Sequence, residues 1–182
     1  MIPISSGPSA TCCDRQAAAD LRDVVDRVVE GIRPQASASN VTVTVHASGG
    51  VRVRGDANSM STVAFNLLSN AVKYNRPGGS VDVSVSASSS LGVLEVSDTG
   101  IGIAGEWLPL LFHEFSRIRT EETADVPGTG LGLAICKRIV DELGGTIEVD
   151  SREGQGTRVV VRIPMAEGSP HEPGEDRTDR RR

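Results

Sequence analysis

Large aromatic side chains are scarce in this chain. Its 182 residues include three Phe, one Tyr and one Trp, so Val, Leu, Ile and Ala must fill the core. Cysteine is scarce too. Cys12 and Cys13 are adjacent near the start, Cys136 stands alone, and no Cys-x-x-Cys pair occurs. Three cysteines so placed fit neither a disulfide framework nor a zinc site, and read as reduced thiols. No apolar run reaches the roughly 18 residues that a membrane-spanning helix needs. The opening Met1-Ile2-Pro3-Ile4-Ser5-Ser6 lacks the basic and apolar regions of a secretory signal, and a cytoplasmic location is expected. A basic excess is also missing. The 19 Lys and Arg against 24 Asp and Glu give a net charge of −5, which ranks nucleic-acid binding low.

What is present organises itself into one dense segment. Residues 1–19 are rich in Ser, Ala, Gly and Pro and read as a flexible lead-in; the stretch from Glu167 to Arg182 has no large apolar side chain and reads as a charged, disordered tail, the domain boundaries falling at 20–165 and 166–182. Between them, Leu21, Val24, Val25, Val28, Val29 and Ile32 follow helical spacing and predict a helix over 20–33. Val41, Val43 and Val45 alternate, as do Val51 and Val53, predicting two strands. A second helix is expected over 57–74, with Met60, Val63, Ala64, Leu67, Leu68, Ala71 and Val72 on its apolar stripe. Strands follow around Val81 to Val85 and over 91–97, then a weakly patterned stretch from 104 to 130, a helix over 131–143, and two strands at 146–150 and 157–163. Helices do not separate single strands, so a doubly wound parallel sheet is disfavoured. The pattern predicts an α/β (α+β) two-layer sandwich: hairpins building a mixed β-sheet covered on one face by helices. A long segment without regular structure in a compact domain reads as a lid or binding loop.

Three places carry chemistry. On the second helix Thr62, Asn66, Asn70 and Lys73 share a polar face. Amide oxygens are hard ligands suited to Mg²⁺, and a lysine adds positive charge for phosphates; an ordinary solvated stripe is the plainer reading. After a strand comes Asp98-Thr99-Gly100-Ile101-Gly102-Ile103. An ionised Asp98 only accepts hydrogen bonds and can read an exocyclic amino group, while glycines let backbone come close to a flat ligand. Gly128-Thr129-Gly130-Leu131-Gly132-Leu133 opens the third helix, where exposed N–H groups and the helix dipole favour an anion. The spacing is not that of a dinucleotide fold, and no P-loop occurs.

Together these segments resemble the ATP-binding catalytic domain of sensor histidine kinases, within the wider family of gyrase-type and Hsp90-type ATPases. Asn66-Leu67-Leu68-Ser69-Asn70-Ala71-Val72-Lys73-Tyr74 is similar to its N box, and Asp98 to Gly102 to its first glycine box. Leu111-Phe112-His113-Glu114-Phe115 resembles the F box, Gly128 to Leu133 the second glycine box, and Gly154-Gln155-Gly156-Thr157 the closing turn. The order and spacing agree over about residues 20–165. The resemblance implies the Bergerat-type fold with a mobile ATP lid, and ATP and Mg²⁺ as ligands. It implies that Asp98 binds the adenine amino group, Asn70 and Asn66 ligate Mg²⁺, Lys73 reaches the phosphates, and Tyr74 lines the base pocket. Gly100, Gly102 and Ile103 would shape the adenine side, and Thr157 would join them. Gly128, Thr129, Gly130, Leu131, Gly132 and Leu133 would close the lid, anchored by Phe112 and Phe115, with Arg117 or Arg119 near the γ-phosphate.

Asn66 and Lys73 are the residues expected to act on the reacting phosphate. Hydrolysing relatives and the anti-sigma-factor serine kinases typically have Glu where this chain has Asn66. An amide cannot serve as general base, so little intrinsic ATPase is expected. The acceptor is missing. Only His46, His113 and His171 occur, and none matches the phosphoacceptor motif of a dimerisation hairpin. The resemblance therefore implies the phosphodonor half of a protein-histidine kinase, monomeric alone. Its histidine would come from a separate dimerisation domain or partner protein, with a response regulator downstream. The alternatives are an anti-sigma-factor-type serine kinase and a non-catalytic ATP-binding regulatory module.

Overall fold

A computed structural model describes residues 17–47, 49–113 and 130–166. Its elements run β1 (Ala18–Asp20), α1 (Leu21–Ala38), β2 (Thr42–Ala47), β3 (Arg52–Arg54), α2 (Ala57–Lys73), β4 (Ser80–Ser88), β5 (Leu91–Asp98), α3 (Gly132–Glu142), β6 (Thr146–Arg152) and β7 (Gly156–Pro164). A short 3₁₀ helix, Gly105–Leu110, lies between β5 and α3.

The main sheet has the order β2-β4-β5-β7-β6. β2 runs parallel to β4, and the other neighbours are antiparallel. Alternation sets its two faces. Val81, Val83, Val85, Leu94, Val96, Val161, Ile163 and Ile147 point into the core under the helices. Glu95, Ser97, Arg158, Arg162 and Glu148 belong to the other face, where Arg158 grips Glu95 through two bonds of 2.6 and 2.7 Å and Arg162 meets Glu148 at 2.9 Å. The expected mixed sheet with one helical layer is the observed architecture.

Helices α1 and α2 begin where short polar residues cap them. Asp20 accepts from Arg22 N at 2.9 Å and starts α1. Asp56 accepts from Asn58 N and Ser59 N, both at 2.9 Å, and from the Ser59 hydroxyl at 2.7 Å, starting α2. Burial works against the Asp56 charge, but the Ser59 and Asn58 hydrogen bonds outweigh it and hold this carboxyl below its ordinary pKa. The apolar stripe of α2 is buried at all seven expected positions.

Three differences from the sequence reading have physical causes. Helix α1 continues past residue 33, through Pro34, to Ala38. Pro34 lies on the exposed side, where water can serve the carbonyl that loses its partner, and buried Ala36 holds the last turn to the core. The two strands expected at Val41–Val45 and Val51–Val53 do not form a hairpin. β2 pairs with β4, whereas β3 pairs antiparallel with β1. The expected lead-in at 1–19 therefore overlaps a strand: Ala18–Asp20 is hydrogen-bonded to β3 and Ala19 is buried. At the other end Ala166 N donates to Arg52 O, so the fold reaches the first residue of the expected tail. Residues 1–16 and 167–182 lie outside the described residues.

Candidate functional site

Three segments converge at one end of the sheet. The first is the polar face of α2. Asn66 Nδ2 donates to Thr62 O at 2.8 Å, and the Thr62 hydroxyl donates to Asn58 O at 2.9 Å. Thr62 thus spends its proton inside the helix, while Asn66 turns its Oδ1 toward Gly132: a Cβ at Gly132 would lie 2.7 Å from that oxygen. A side chain at Gly132, the first residue of α3, would meet the Asn66 side chain of α2. The two helices touch again where the Cys136 thiol faces Val63 O at 3.8 Å. Asn70 is half-buried one turn beyond Asn66. Lys73 closes the stripe with Nζ 5.3 Å from the centre of the Tyr74 ring, within cation–π range.

The second segment follows β5. Asp98 is half-buried, and its Oδ1 accepts from Gly100 N at 2.8 Å and from Thr157 N at 3.2 Å. Burial pushes its pKa above the ordinary value, and the two backbone donors only partly offset that. Oδ2 takes no hydrogen bond from the described residues. The glycines next to it serve the chain itself. A Cβ at Gly100 would stand 2.3 Å from Tyr74 O, and one at Gly102 would stand 2.0 Å from Arg152 O. Ile101 N donates to Tyr74 O at 3.0 Å, joining the end of α2 to this loop. Close backbone approach, expected toward a ligand, is here approach to neighbouring backbone.

The third segment is the start of α3 and the β6–β7 turn. Gly130 has φ 72°. Leu131 caps α3 without a side-chain hydrogen bond, so the N-cap residue offers the first-turn N–H groups no side-chain acceptor. Leu133 is half-buried against the core. Thr157 stands directly opposite Asp98 in the β5–β7 register. Phe112, from the segment resembling the F box, also packs on the core, while His113 is exposed. Phe115, Arg117, Arg119, Gly128 and Thr129 lie outside the described residues, as does the rest of the expected lid at 114–129.

Sequence reasoning missed two residues here. Asn75 donates through Nδ2 to Ser80 O at 2.9 Å and tethers the end of α2 to β4. Ser151 is the one buried polar side chain among the described residues, 8% exposed. Its signal was available: Ile147, Val149 and Ser151 alternate on one face of β6, so a hydroxyl stands where the pattern calls for an apolar residue.

The family profile of the histidine kinase-, DNA gyrase B- and HSP90-like ATPases matches residues 55–167. The chain belongs to that family. Within it, the chain is similar to sensor histidine kinases. A mycobacterial sensor histidine kinase, MprB, superposes with a TM-score of 0.72 at 30% identity, covering 83% of this chain and 98% of that one. The full-length histidine kinase ShkA, solved with AMPPNP, superposes with a TM-score of 0.71 at 26% identity, over 85% of this chain and 32% of that one. The sensor protein SrrB of Staphylococcus aureus is 39% identical over 112 residues, 62% of this chain and 19% of that protein. The chain thus spans about a fifth of the length of the curated relatives it matches.

Proposed function

We propose that this chain is the ATP-binding, phosphodonor half of a protein-histidine kinase. Asp98 carries the reading: a half-buried carboxylate whose Oδ1 is held by two backbone donors and whose Oδ2, which takes no hydrogen bond from the described residues, would accept from a ligand. Adenine offers an amino group there, and guanine offers a repelling carbonyl. Asn66, Asn70 and Lys73 would face the phosphates, with the start of α3 opposite. Tyr74, Gly100, Gly102, Ile103 and Thr157 would border the base. Gly128 to Leu133 and Phe115 would cover the nucleotide.

The donor set fits Mg²⁺ bound chiefly by phosphates and water. The described residues contain no group of three or more His, Cys, Asp or Glu able to hold a metal, whereas Asn66, with its Nδ2 already engaged, keeps an amide oxygen to give. Asn70 is the second such donor. When bound, the ion would neutralise charge on the transferring phosphoryl group. The chain's own part is to bind, orient and screen the γ-phosphate. The acceptor imidazole would come from a dimerisation domain, in the same longer protein or on a partner, and a response regulator would take the phosphate next. Asn66 in place of a carboxylate argues against the serine-kinase and ATPase readings.

A calorimetric titration of Mg·ATP, paired with γ-labelled transfer to a supplied dimerisation hairpin, tests this. Binding that Asp98→Asn abolishes, with label appearing on histidine, is the expected result. Tight binding without transfer to any such hairpin would favour the regulatory module instead.

A further inference from the structure

Ser151, Thr157 and Asp98 stand side by side across three strands, Ser151 opposite Thr157 and Thr157 opposite Asp98. The buried Ser151 hydroxyl donates to Gly156 O at 2.8 Å, accepts from Ile103 N at 2.9 Å, and lies 2.9 Å from Thr157 Oγ1. A hydroxyl has one proton and two acceptor sites. Its proton is spent on Gly156 and one acceptor site on Ile103. The contact with Thr157 must then use the remaining acceptor site, so the Thr157 hydroxyl donates to Ser151. That bond leaves Thr157 Oγ1 with lone pairs and no proton to offer a ligand. Thr157 N is meanwhile bonded to Asp98 Oδ1, which fixes the threonine beside the carboxylate.

We propose that Ser151 is a specificity-determining positioning residue: by taking the Thr157 proton, it makes Thr157 a second acceptor beside Asp98, so that the pair selects a base carrying an exocyclic amino group. This rests on the reading of Asp98 as the base-binding residue. Ser151 itself touches no ligand in this scheme and acts through Thr157.

The consequence is a discrimination ratio. Inosine triphosphate replaces the 6-amino group of ATP with a carbonyl, which both acceptors repel. With each mismatch in a half-buried site worth about tenfold or more, the unaltered chain should favour Mg·ATP over Mg·ITP by on the order of a hundredfold. In Ser151→Ala the Thr157 proton is released and can turn to the carbonyl. The ATP/ITP ratio should fall by about tenfold, mainly because ITP binding improves relative to ATP. Thr157→Val, which removes the second acceptor, should narrow the ratio likewise, and the double variant should add nothing further.

Calorimetric titration of the full chain and the three variants with both nucleotides reads all of this. A purely structural Ser151 would weaken both nucleotides by the same factor and leave the ratio unchanged, which would overturn the proposal. If Ser151→Ala does not fold, an unchanged ratio in Thr157→Val overturns it equally. Failure of the unaltered chain to bind ATP at all would instead remove the underlying site reading. ATP binding with an unaltered ratio removes only the role of Ser151.

Discussion

At neutral pH an ionised Asp98 destabilises the folded chain, because burial raises its pKa above the value it has when unfolded. The folded state binds more protons than the unfolded one between the two pKa values, so this group's contribution to stability falls as pH rises through that window. Under the proposed role of Asp98, nucleotide binding needs the ionised form. ATP affinity should therefore be lost on acidification with a midpoint above the ordinary aspartate value, and titrations across the acidic range will read it. Asp98→Asn removes the buried charge and keeps an oxygen for Gly100 N and Thr157 N. Chemical denaturation should find the variant as stable as the unaltered chain or more so, while ATP binding drops at least tenfold. Cys136 shows burial acting on another side chain. Its thiol is fully buried and pushed up to about 12, so alkylation at pH 8 should spare it until denaturant is added.

Elements were legible where one face alone fixes the pattern. α2 shows its stripe in the sequence, and β4 shows its alternation of Val81, Val83 and Val85. β1 was not legible, because Ala18–Asp20 is a three-residue strand without an apolar alternation, held by pairing to β3. The 3₁₀ helix at Gly105–Leu110 buries no residue and so leaves no periodic trace. In the site, Asp98, Asn66 and the glycines were visible as motifs. The roles of Ser151 and Asn75 were not, since they depend on strand register and on contacts across the fold. The glycine positions give an element-scale test. A Cβ at Gly156 would sit 1.9 Å from Asp98 O, at φ 95°. Gly156→Ala should therefore cost more than about 2 kcal/mol and disturb the β5–β7 junction, seen as a lowered denaturation midpoint. Pro34→Ala should do the reverse and raise that midpoint, restoring a helical N–H at an exposed position, by at most about 3 kcal/mol.

On the scale of the whole molecule, the site exists only where separate parts meet. α2 brings the amide face, β5 and β7 bring Asp98 and Thr157, and α3 brings Gly132 against Asn66. A ligand that bridges these parts binds the folded chain and not the unfolded one, and so must stabilise it by mass action. At a hundredfold excess of Mg·ATP over its dissociation constant the gain is about 2.7 kcal/mol. For a domain of this size that corresponds to a rise of roughly 5–10 °C in melting temperature. Asp98→Asn should melt at or above the unaltered chain without ligand, yet show almost none of the ATP-induced rise. The two effects separate the cost of burying the carboxylate from its use. A variant that lost both intrinsic stability and the ligand response would instead assign Asp98 to holding the β5–β7 junction together. The Gly100 and Thr157 backbone donors would then be its purpose and the nucleotide incidental.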